Sequence, residues 1–296
     1  MTAKADREGL RRRIEGLRSL STIPVVLQKI LEVVDDDGSS IEDLEEVLKR
    51  DQALVARIVA ISNAAFYGQS RSVESISQAI LILGFNMVKC LAVSVSILGS
   101  VGSSHHLFDI KRLWLHSFKV ANVSVVIADK CNVVGRETAF LAGLLHDIGR
   151  AILFQLFGEE YLVVSLQGRE GLQEREESAF GAGHSLVGAW FAERYLMPAG
   201  CVAAIQFHHE PNSLELADSE SLNALKPLIT AVHFADSIAS GEKGDELIDD
   251  FAPIEDYSEV LHTLGLEESA VEEIREALAE KEASMTAFYN IAGGDG

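Results

Sequence analysis

Apolar residues recur along most of the chain at the spacing of an α-helix, and the alternation typical of a β-strand is almost absent. The segment IPVVLQKILEVVDD places Val26, Ile30, Val33 and Val34 on one stripe, and its proline suits the first turn of a helix. In SSIEDLEEVLKRD a serine precedes an acidic first turn, and basic residues close the last turn, as the helix dipole favours. The pattern predicts an all-α fold.

The two apolar stretches that follow are also predicted to be helices of the core. DQALVARIVAISNAAFYG begins with Asp51 as a helix cap and directs Leu54, Ile58 and Ile61 inward. SVESISQAILILGFNMVKCLAVSVSIL is predicted to form a short helix, a break at Gly84 and a second helix. Because a lysine and several Ser and Gly residues interrupt this second stretch, we interpret it as buried helix rather than as a membrane span.

The chain is predicted to divide into helical subdomains at polar segments. GSVGSSHHLFDI is rich in Gly and Ser and marks the clearest boundary in the first half. We therefore expect an N-terminal helical subdomain over residues 1–105, a second helical subdomain over 106–250 and a C-terminal helical extension over 251–296. Within the second subdomain, the acidic segment GREGLQEREESAFGAG is interpreted as a polar interruption between helices.

Charge and cysteine content exclude some classes of function. Lys and Arg number 25 and Asp and Glu 45, so the net charge of −20 disfavours direct binding of nucleic acid. The three cysteines have no CxxC spacing, and we expect reduced core thiols rather than a disulfide framework or a thiolate zinc site. Since the N-terminal segment has no apolar signal core, we expect a cytoplasmic protein that does not enter a membrane.

Seven polar side chains interrupt apolar or small-residue surroundings in the second half of the chain. Two of them are adjacent in FLAGLLHDIGRAIL, where burial of an imidazole beside a carboxylate is unfavourable unless each group has a partner. The set contains five imidazoles and two carboxylates from five predicted helices: His116, His146, Asp147, His184, His208, His209 and Asp236.

Imidazole and carboxylate groups are ligands that iron, manganese, zinc and other divalent metals accept. A cation among them would neutralise both carboxylates and use the lone pairs of neutral imidazoles, so binding would weaken as the pH falls. An isolated histidine on an apolar face is more often a hydrogen-bonded core residue, and spacing alone does not decide between the two interpretations. For His233 the alternatives are a plain core residue and a group that supports a metal ligand.

The motifs resemble those of known families. LLHDIG is similar to the signature doublet of the HD superfamily of helical metal-dependent phosphohydrolases, and the order H…HD…H…HH…D resembles its two-metal branch, which includes the HD-GYP phosphodiesterases. IPVVLQKILEVV, DQALVARIVAISNAAFYG and SVESISQAILILGFNMVK resemble the HDOD family, the HD-related output domains of bacterial signalling proteins. The resemblance covers residues 17–240, and it implies that the second subdomain is an HD-type helical bundle that carries a metal site.

The resemblance also implies a pair of metal ions and a role in signalling. The ligands of the first cation would be His116, His146, Asp147 and Asp236. Asp147 would bridge to a second cation, whose other ligands would be His184, His208 and His209. The resemblance favours iron, with manganese, zinc and nickel as alternatives, and it implies a bacterial regulatory protein that acts through contacts with signalling proteins.

The alternative is an active phosphohydrolase or phosphodiesterase that binds a nucleotide or another phosphoester at the metal site. Asp147 and Arg150 would then be the catalytic candidates, because Arg150 stands where HD-GYP enzymes carry a phosphate-binding lysine. The other interpretation of Arg150 is a helix-end cation that the helix dipole favours. No Gly-Tyr-Pro segment follows the HH pair, and Arg112 stands where three-metal relatives carry a glutamate. We therefore expect neither cyclic-dinucleotide recognition nor a third metal.

Overall fold

The computed structural model describes residues 6–16, 25–36, 38–65, 73–100, 110–131, 135–167, 171–213, 219–240 and 257–279. No β-strand occurs in these ranges, which confirms the predicted all-α fold. The helices are α1 (Arg7–Glu15), α2 (Val25–Asp35), α3 (Ile41–Leu48), α4 (Gln52–Ala65), α5 (Ile76–Leu83), α6 (Phe85–Ser100), α7 (Ile110–Cys131), α8 (Arg136–Leu145), α9 (Ile148–Phe157), α10 (Glu159–Ser165), α11 (Leu172–Phe180), α12 (His184–Arg194), α13 (Ala199–Phe207), α14 (Glu220–Asn223), α15 (Lys226–Ser240), α16 (Ser258–Leu264) and α17 (269–279).

Helix starts and stops in the first half follow the signals in the sequence. The Ser40 hydroxyl accepts a hydrogen bond from the Asp43 N–H at the start of α3, and the Asp43 carboxylate accepts one from the Ser40 N–H. Asp51 caps α4, since its carboxylate accepts a hydrogen bond of 2.9 Å from the Leu54 N–H. Gly84, with a φ of 84°, separates α5 from α6, which confirms the predicted break.

The predicted apolar stripes of the first half face the core. Of the residues on these predicted stripes, four are buried: Ile30, Leu54, Ile58 and Ile61. Val26 and Val33 pack against the core while half-buried, and the side chain of Val34 lies outside the described residues. The stripe residues that are described therefore bury the face that the sequence pattern predicts.

The apolar segments are buried inside the fold. α6 contributes a run of buried residues that includes Val88, Cys90 and Leu91, as predicted for a core helix. Among the described residues, one helical stretch, Arg136–Phe157, is long and apolar enough to cross a membrane, and 83% of its most apolar window is buried. Cores of helical proteins produce the same pattern, so this stretch is weak support for a span. None of the three cysteines forms a disulfide.

The acidic segment before α12 is a helix, and its interpretation as a polar interruption was wrong. α11 spans Leu172–Phe180. Leu172, Glu176 and Phe180 are buried on one face at four-residue spacing, so an apolar stripe was present but contained an acid at its centre.

The second half of the chain brings its helices unusually close together. α7 packs along α8 and α15, and α12 packs against α9 and α13. A Cβ at Gly143 of α8 would lie 2.8 Å from the Ala121 Cα of α7. A Cβ at Gly149 of α9 would lie 1.9 Å from the backbone oxygen of His184, the first residue of α12. Glycine is therefore needed at both contacts, which set the spacing of the helices around the site.

The N-terminal helix α1 packs on the second half of the chain. Arg11 lies over the ring of Trp190 in α12, 5.6 Å from the centroid, and Arg13 donates a 2.9 Å hydrogen bond to the carbonyl oxygen of Leu156. α6 packs against α8 and α9, so the two halves contribute to one continuous core. The boundary predicted at residue 105 lies outside the described residues and stays a prediction.

Candidate metal centre

The seven side chains selected from the sequence lie together in the second half of the fold. They project from α7, from the turn between α8 and α9, from the first residue of α12, from the turn after α13 and from α15. Six are buried and His209 is half-buried. Residues separated by up to 120 positions in the sequence therefore share one small volume.

The candidate ligand atoms form overlapping groups in which all atoms lie within 4.8 Å of one another. One group consists of Asp147, His184, His208 and His209. A second consists of His116, His146 and Asp147, and a third of His146, His208 and Asp236. Asp147 belongs to the first two groups and connects them.

Asp147 directs one carboxylate oxygen towards each side of the cluster. Its Oδ1 lies 3.4 Å from His184 Nε2 and 3.8 Å from His208 Nε2. Its Oδ2 lies 3.7 Å from His146 Nε2. A carboxylate in this position can contact two neighbouring cations, one through each oxygen.

Asp236 lies beside the two imidazoles on the Oδ2 side of the cluster. Its Oδ1 lies 2.9 Å from His116 Nε2 and 3.8 Å from His146 Nε2. The ring centroids of His116 and His146 are 5.3 Å apart, and their planes make an angle of 62°. This half of the cluster thus offers one carboxylate and two imidazoles in addition to Asp147.

Backbone carbonyls fix the orientation of two imidazoles. His146 Nδ1 donates to the carbonyl oxygen of Gly143, and His208 Nδ1 donates to that of Ile205, both at 2.8 Å. Because a carbonyl oxygen only accepts, Nδ1 of each ring carries a proton, and Nε2 is the nitrogen that faces the cluster. A metal-bound histidine is oriented in the same way.

Glu176, which the sequence analysis did not select, supports His184 from outside the cluster. Its Oε2 accepts hydrogen bonds from the Nδ1 and from the backbone N–H of His184, both at 2.7 Å, and its Oε1 accepts one of 2.9 Å from the Tyr161 hydroxyl. Burial, followed by the negative charge of Glu176, raises the pKa of Tyr161 well above its ordinary value, so the hydroxyl stays protonated. The acidic residue at the centre of the apolar Leu172–Phe180 stripe is the sequence signal that could have revealed the role of Glu176.

The chemistry of the cluster fits a bound cation. Among the described residues, His146 Nε2 and Asp147 Oδ1 are buried and have no hydrogen-bond partner, an arrangement that is unfavourable for protein atoms alone. His184 Nε2 and His209 Nε2 lie 3.0 Å apart, within hydrogen-bond distance of each other. The imidazole and carboxylate donors of the cluster are of the types that divalent metals accept.

Arg150 reaches the cluster from the first turn of α9. Its Nη1 donates a 3.1 Å hydrogen bond to Asp147 Oδ2, and the residue is only 4% exposed. The helix dipole is positive at this end, so it disfavours a cation here, and the interpretation of Arg150 as a helix-end cation was wrong. The carboxylate of Asp147 offsets its charge.

A cleft of about 280 Å³ opens beside the cluster. Of the seven side chains, His209 is the one that lines this cleft. Its other lining residues include Arg7 of α1 and three acids, Glu174, Glu177 and Glu210. This cleft beside His209 is therefore lined by more negative than positive charge.

His233 contacts the backbone of the cluster. Its Nδ1 donates a 2.7 Å hydrogen bond to the carbonyl oxygen of His208, and burial lowers its pKa. The ring therefore supports the turn that carries His208 and His209.

Comparison with known proteins agrees with the resemblance seen in the sequence. The model of the HDOD domain family matches residues 20–211. An uncharacterized protein of Treponema pallidum (strain Nichols) is 24% identical over 226 residues, which cover 73% of this chain and 42% of that protein. This chain thus spans less than half the length of that relative.

Two crystal structures share the fold. One, from Shewanella amazonensis SB2B, is of a protein provisionally named a phosphohydrolase; it matches with a TM-score of 0.62 and 21% identity over 96% of this chain and 97% of that chain. The other, from Marinobacter aquaeolei VT8, is of a protein provisionally named a signal transduction protein. It matches with a TM-score of 0.65 and 20% identity over 97% of this chain and 64% of that chain.

Proposed function

The chain belongs to the HDOD family, and from this premise we propose that it is a regulatory module that holds divalent metal ions and relays a signal through contacts with other proteins. The observation that carries the proposal is the burial of the cluster, since six of the seven side chains are buried and His209 is half-buried. A metal-dependent hydrolase needs coordination positions that its substrate can reach. A buried site suits a metal that holds helices in one arrangement.

We assign the metal positions to the two sides of Asp147. The proposed ligands on one side are His116, His146 and Asp236, and those on the other are His184, His208 and His209. Iron is our first choice, following the family resemblance, and manganese, zinc and nickel accept the same donors. Elemental analysis of protein purified without a metal-affinity step tests both the identity and the number of the ions.

Electrostatics supports protein partners over a phosphoester ligand. The net charge of −20 repels anions, and Glu174, Glu177 and Glu210 line the cleft beside His209. A fold neighbour from Marinobacter aquaeolei carries a provisional signal-transduction name, which is compatible with this role.

We expect metal-loaded protein to hydrolyse no member of a panel of nucleotides, cyclic dinucleotides and simple phosphoesters. The reason is that a buried, acid-lined site disfavours entry of an anion. The measurement is product release followed by chromatography, with an Asp147→Ala variant as the background. Turnover by the wild type that is absent from this variant would contradict the regulatory proposal.

One observation favours a phosphohydrolase as a second candidate. Arg150 is a buried cation that contacts the proposed bridging carboxylate, where it could bind a phosphate oxygen. Bound metal ions would supply an activated water. If this candidate is right, turnover of some member of the panel falls at least tenfold in Arg150→Lys, because lysine lacks the planar, forked donor geometry.

Removal of the metal is expected to lower the thermal stability of the protein. Without a cation, Asp147 Oδ1 and His146 Nε2 are buried and lack hydrogen-bond partners. A ligand present at about 1,000 times its Kd stabilises the folded state by about 4 kcal/mol, which corresponds to a shift of about 10 °C in Tm. Scanning calorimetry before and after dialysis against a chelator measures the shift, and an unchanged Tm would argue against a metal that holds the helices.

A further inference from the structure

We infer that Glu176 is a positioning residue that fixes the His184 imidazole with its Nε2 facing the proposed metal position. The inference rests on the proposed function, since it assumes that the cluster binds metal. It adds a residue that belongs neither to the cluster nor to the motifs that identify it.

Glu176 holds His184 at two points with a single oxygen. Oε2 accepts from Nδ1 and from the backbone N–H of His184, each at 2.7 Å. The N–H of His184 belongs to the first turn of α12, where the helix itself offers no acceptor. One bond anchors the backbone and the other fixes the ring, so rotation of the imidazole would break a short, charge-assisted hydrogen bond.

The orientation that results suits a metal ligand. With Nδ1 donating to Glu176, Nε2 is the nitrogen that faces the cluster, 3.4 Å from Asp147 Oδ1 and within hydrogen-bond distance of His209 Nε2, at 3.0 Å. A carboxylate that accepts a hydrogen bond from Nδ1 also increases the basicity of Nε2, which strengthens metal binding through Nε2.

The surroundings of Glu176 indicate a specific role. Its carboxylate is fully buried, at a position of α11 where a leucine would continue the apolar stripe. A buried carboxylate is unfavourable unless its oxygens have partners, and here Tyr161 holds Oε1 while His184 occupies Oε2. The competing explanation is that Glu176 only caps α12, in which case metal affinity would not depend on it once the protein is folded.

Competition with a chromophoric chelator for Zn²⁺ separates these explanations. We expect Glu176→Ala to weaken Zn²⁺ binding by about 10–100-fold. Glu176→Gln keeps an oxygen that can accept both bonds but lacks the charge, so a smaller loss of several-fold is expected. Glu160→Ala, which removes an exposed carboxylate of α10, is the matched control and should bind Zn²⁺ as the wild type does. The Tm of each metal-free variant reports folding.

A double-mutant cycle with His184→Ala tests whether Glu176 acts through that ring. In the His184→Ala background, Glu176→Ala should cause almost no further loss of affinity. A loss as large as in the wild-type background would overturn the inference. Wild-type Zn²⁺ affinity in both Glu176→Gln and Glu176→Ala would also overturn it. If the alanine variant does not fold, wild-type affinity in Glu176→Gln would be sufficient to overturn it. Wild-type protein that binds no Zn²⁺ would overturn the proposed function, and the inference with it.

Discussion

An Asp147→Ala variant is expected to lose both of the proposed metal ions, whereas Asp236→Ala should retain one. Asp147 is the member shared by the groups on the two sides of the cluster, with Oδ1 near His184 and Oδ2 near His146. Asp236 lies 2.9 Å from His116 and 3.8 Å from His146. Although His208 is also within 4.8 Å, the proposed assignment makes Asp236 a ligand of the His116 and His146 side. Loss of the shared carboxylate removes a charged ligand from both positions, and loss of Asp236 removes one from a single position.

Elemental analysis gives the metal content per chain for each variant. We expect about two ions in the wild type, about one in Asp236→Ala and well below one in Asp147→Ala, in keeping with a two-metal site. Asp129→Ala, which removes an exposed carboxylate that pairs with Arg136, is the control and should leave the content unchanged. Equal losses in Asp147→Ala and Asp236→Ala would show that Asp147 does not connect two positions.

The Asp147→Ala substitution is also expected to destabilise the fold, and this effect has to be distinguished from the loss of metal. Arg150 is buried and donates to Asp147 Oδ2, so Asp147→Ala removes its counter-charge, at a cost of about 3–5 kcal/mol. Asp147→Asn keeps the volume and one oxygen, and serves if the alanine variant does not fold. Its metal content should also fall below that of Asp236→Ala.

The fold was largely predictable because burial in a helical protein follows local spacing. The caps at Ser40 and Asp51 and the break at Gly84 depend on residues within four positions of one another, and the sequence displays all of them. α11 was missed because Glu176 occupies the middle of its buried face, and a polar residue there weakens the periodic signal. The packing of α1 on α12 joins distant segments, and no local pattern encodes it.

The candidate site was predictable in its members but not in its geometry. Imidazoles and acids on apolar faces are conspicuous in a sequence, since each needs a partner that local structure does not supply. Which atoms meet depends on how five helices pack, and spacing carries no such information. The supporting role of Glu176 was hidden because its partners, Tyr161 and His184, lie 15 and 8 positions away, beyond one turn of α11.

The hydrogen bonds around Asp147 connect the proposed metal positions to four consecutive helices. Asp147 accepts from Arg150 of α9, and the positive charge of Arg150 acts on Tyr161 of α10. Tyr161 donates to Glu176 of α11, which in turn holds His184 of α12. If the cluster holds metal as proposed, these contacts give its ligands a continuous connection to the four helices, which is a condition for coupling between them.

Gly149→Ala is expected to destabilise the protein by about 3 kcal/mol or more and to weaken metal binding together with it. A Cβ at this position would lie 1.9 Å from the backbone oxygen of His184 and 2.8 Å from the backbone nitrogen of Gly188, so α9 and α12 would have to separate. Alanine gains up to about 1 kcal/mol over glycine in helix propensity, but overpacking against rigid backbone typically costs more. We therefore expect the steric clash to outweigh the gain in helix propensity, so that the net change in the free energy of unfolding is a loss.

Urea unfolding measures the loss of stability, and Zn²⁺ competition measures the effect on the site. Separation of the helices would lengthen the 3.4 Å distance between Asp147 Oδ1 and His184 Nε2, because Asp147 precedes α9 and His184 begins α12. Gly135→Ala is the matched control: Gly135 is the N-cap of α8, with a φ of −64°, and the nearest atom to an added Cβ is a carboxylate oxygen of Glu137 at 3.6 Å. Because glycine is a better N-cap than alanine, this control should cost about 0.5–1 kcal/mol, well below the loss expected for Gly149→Ala. If Gly149→Ala cost no more than the control, α9 and α12 would not be in the close contact that places both sides of the cluster around Asp147.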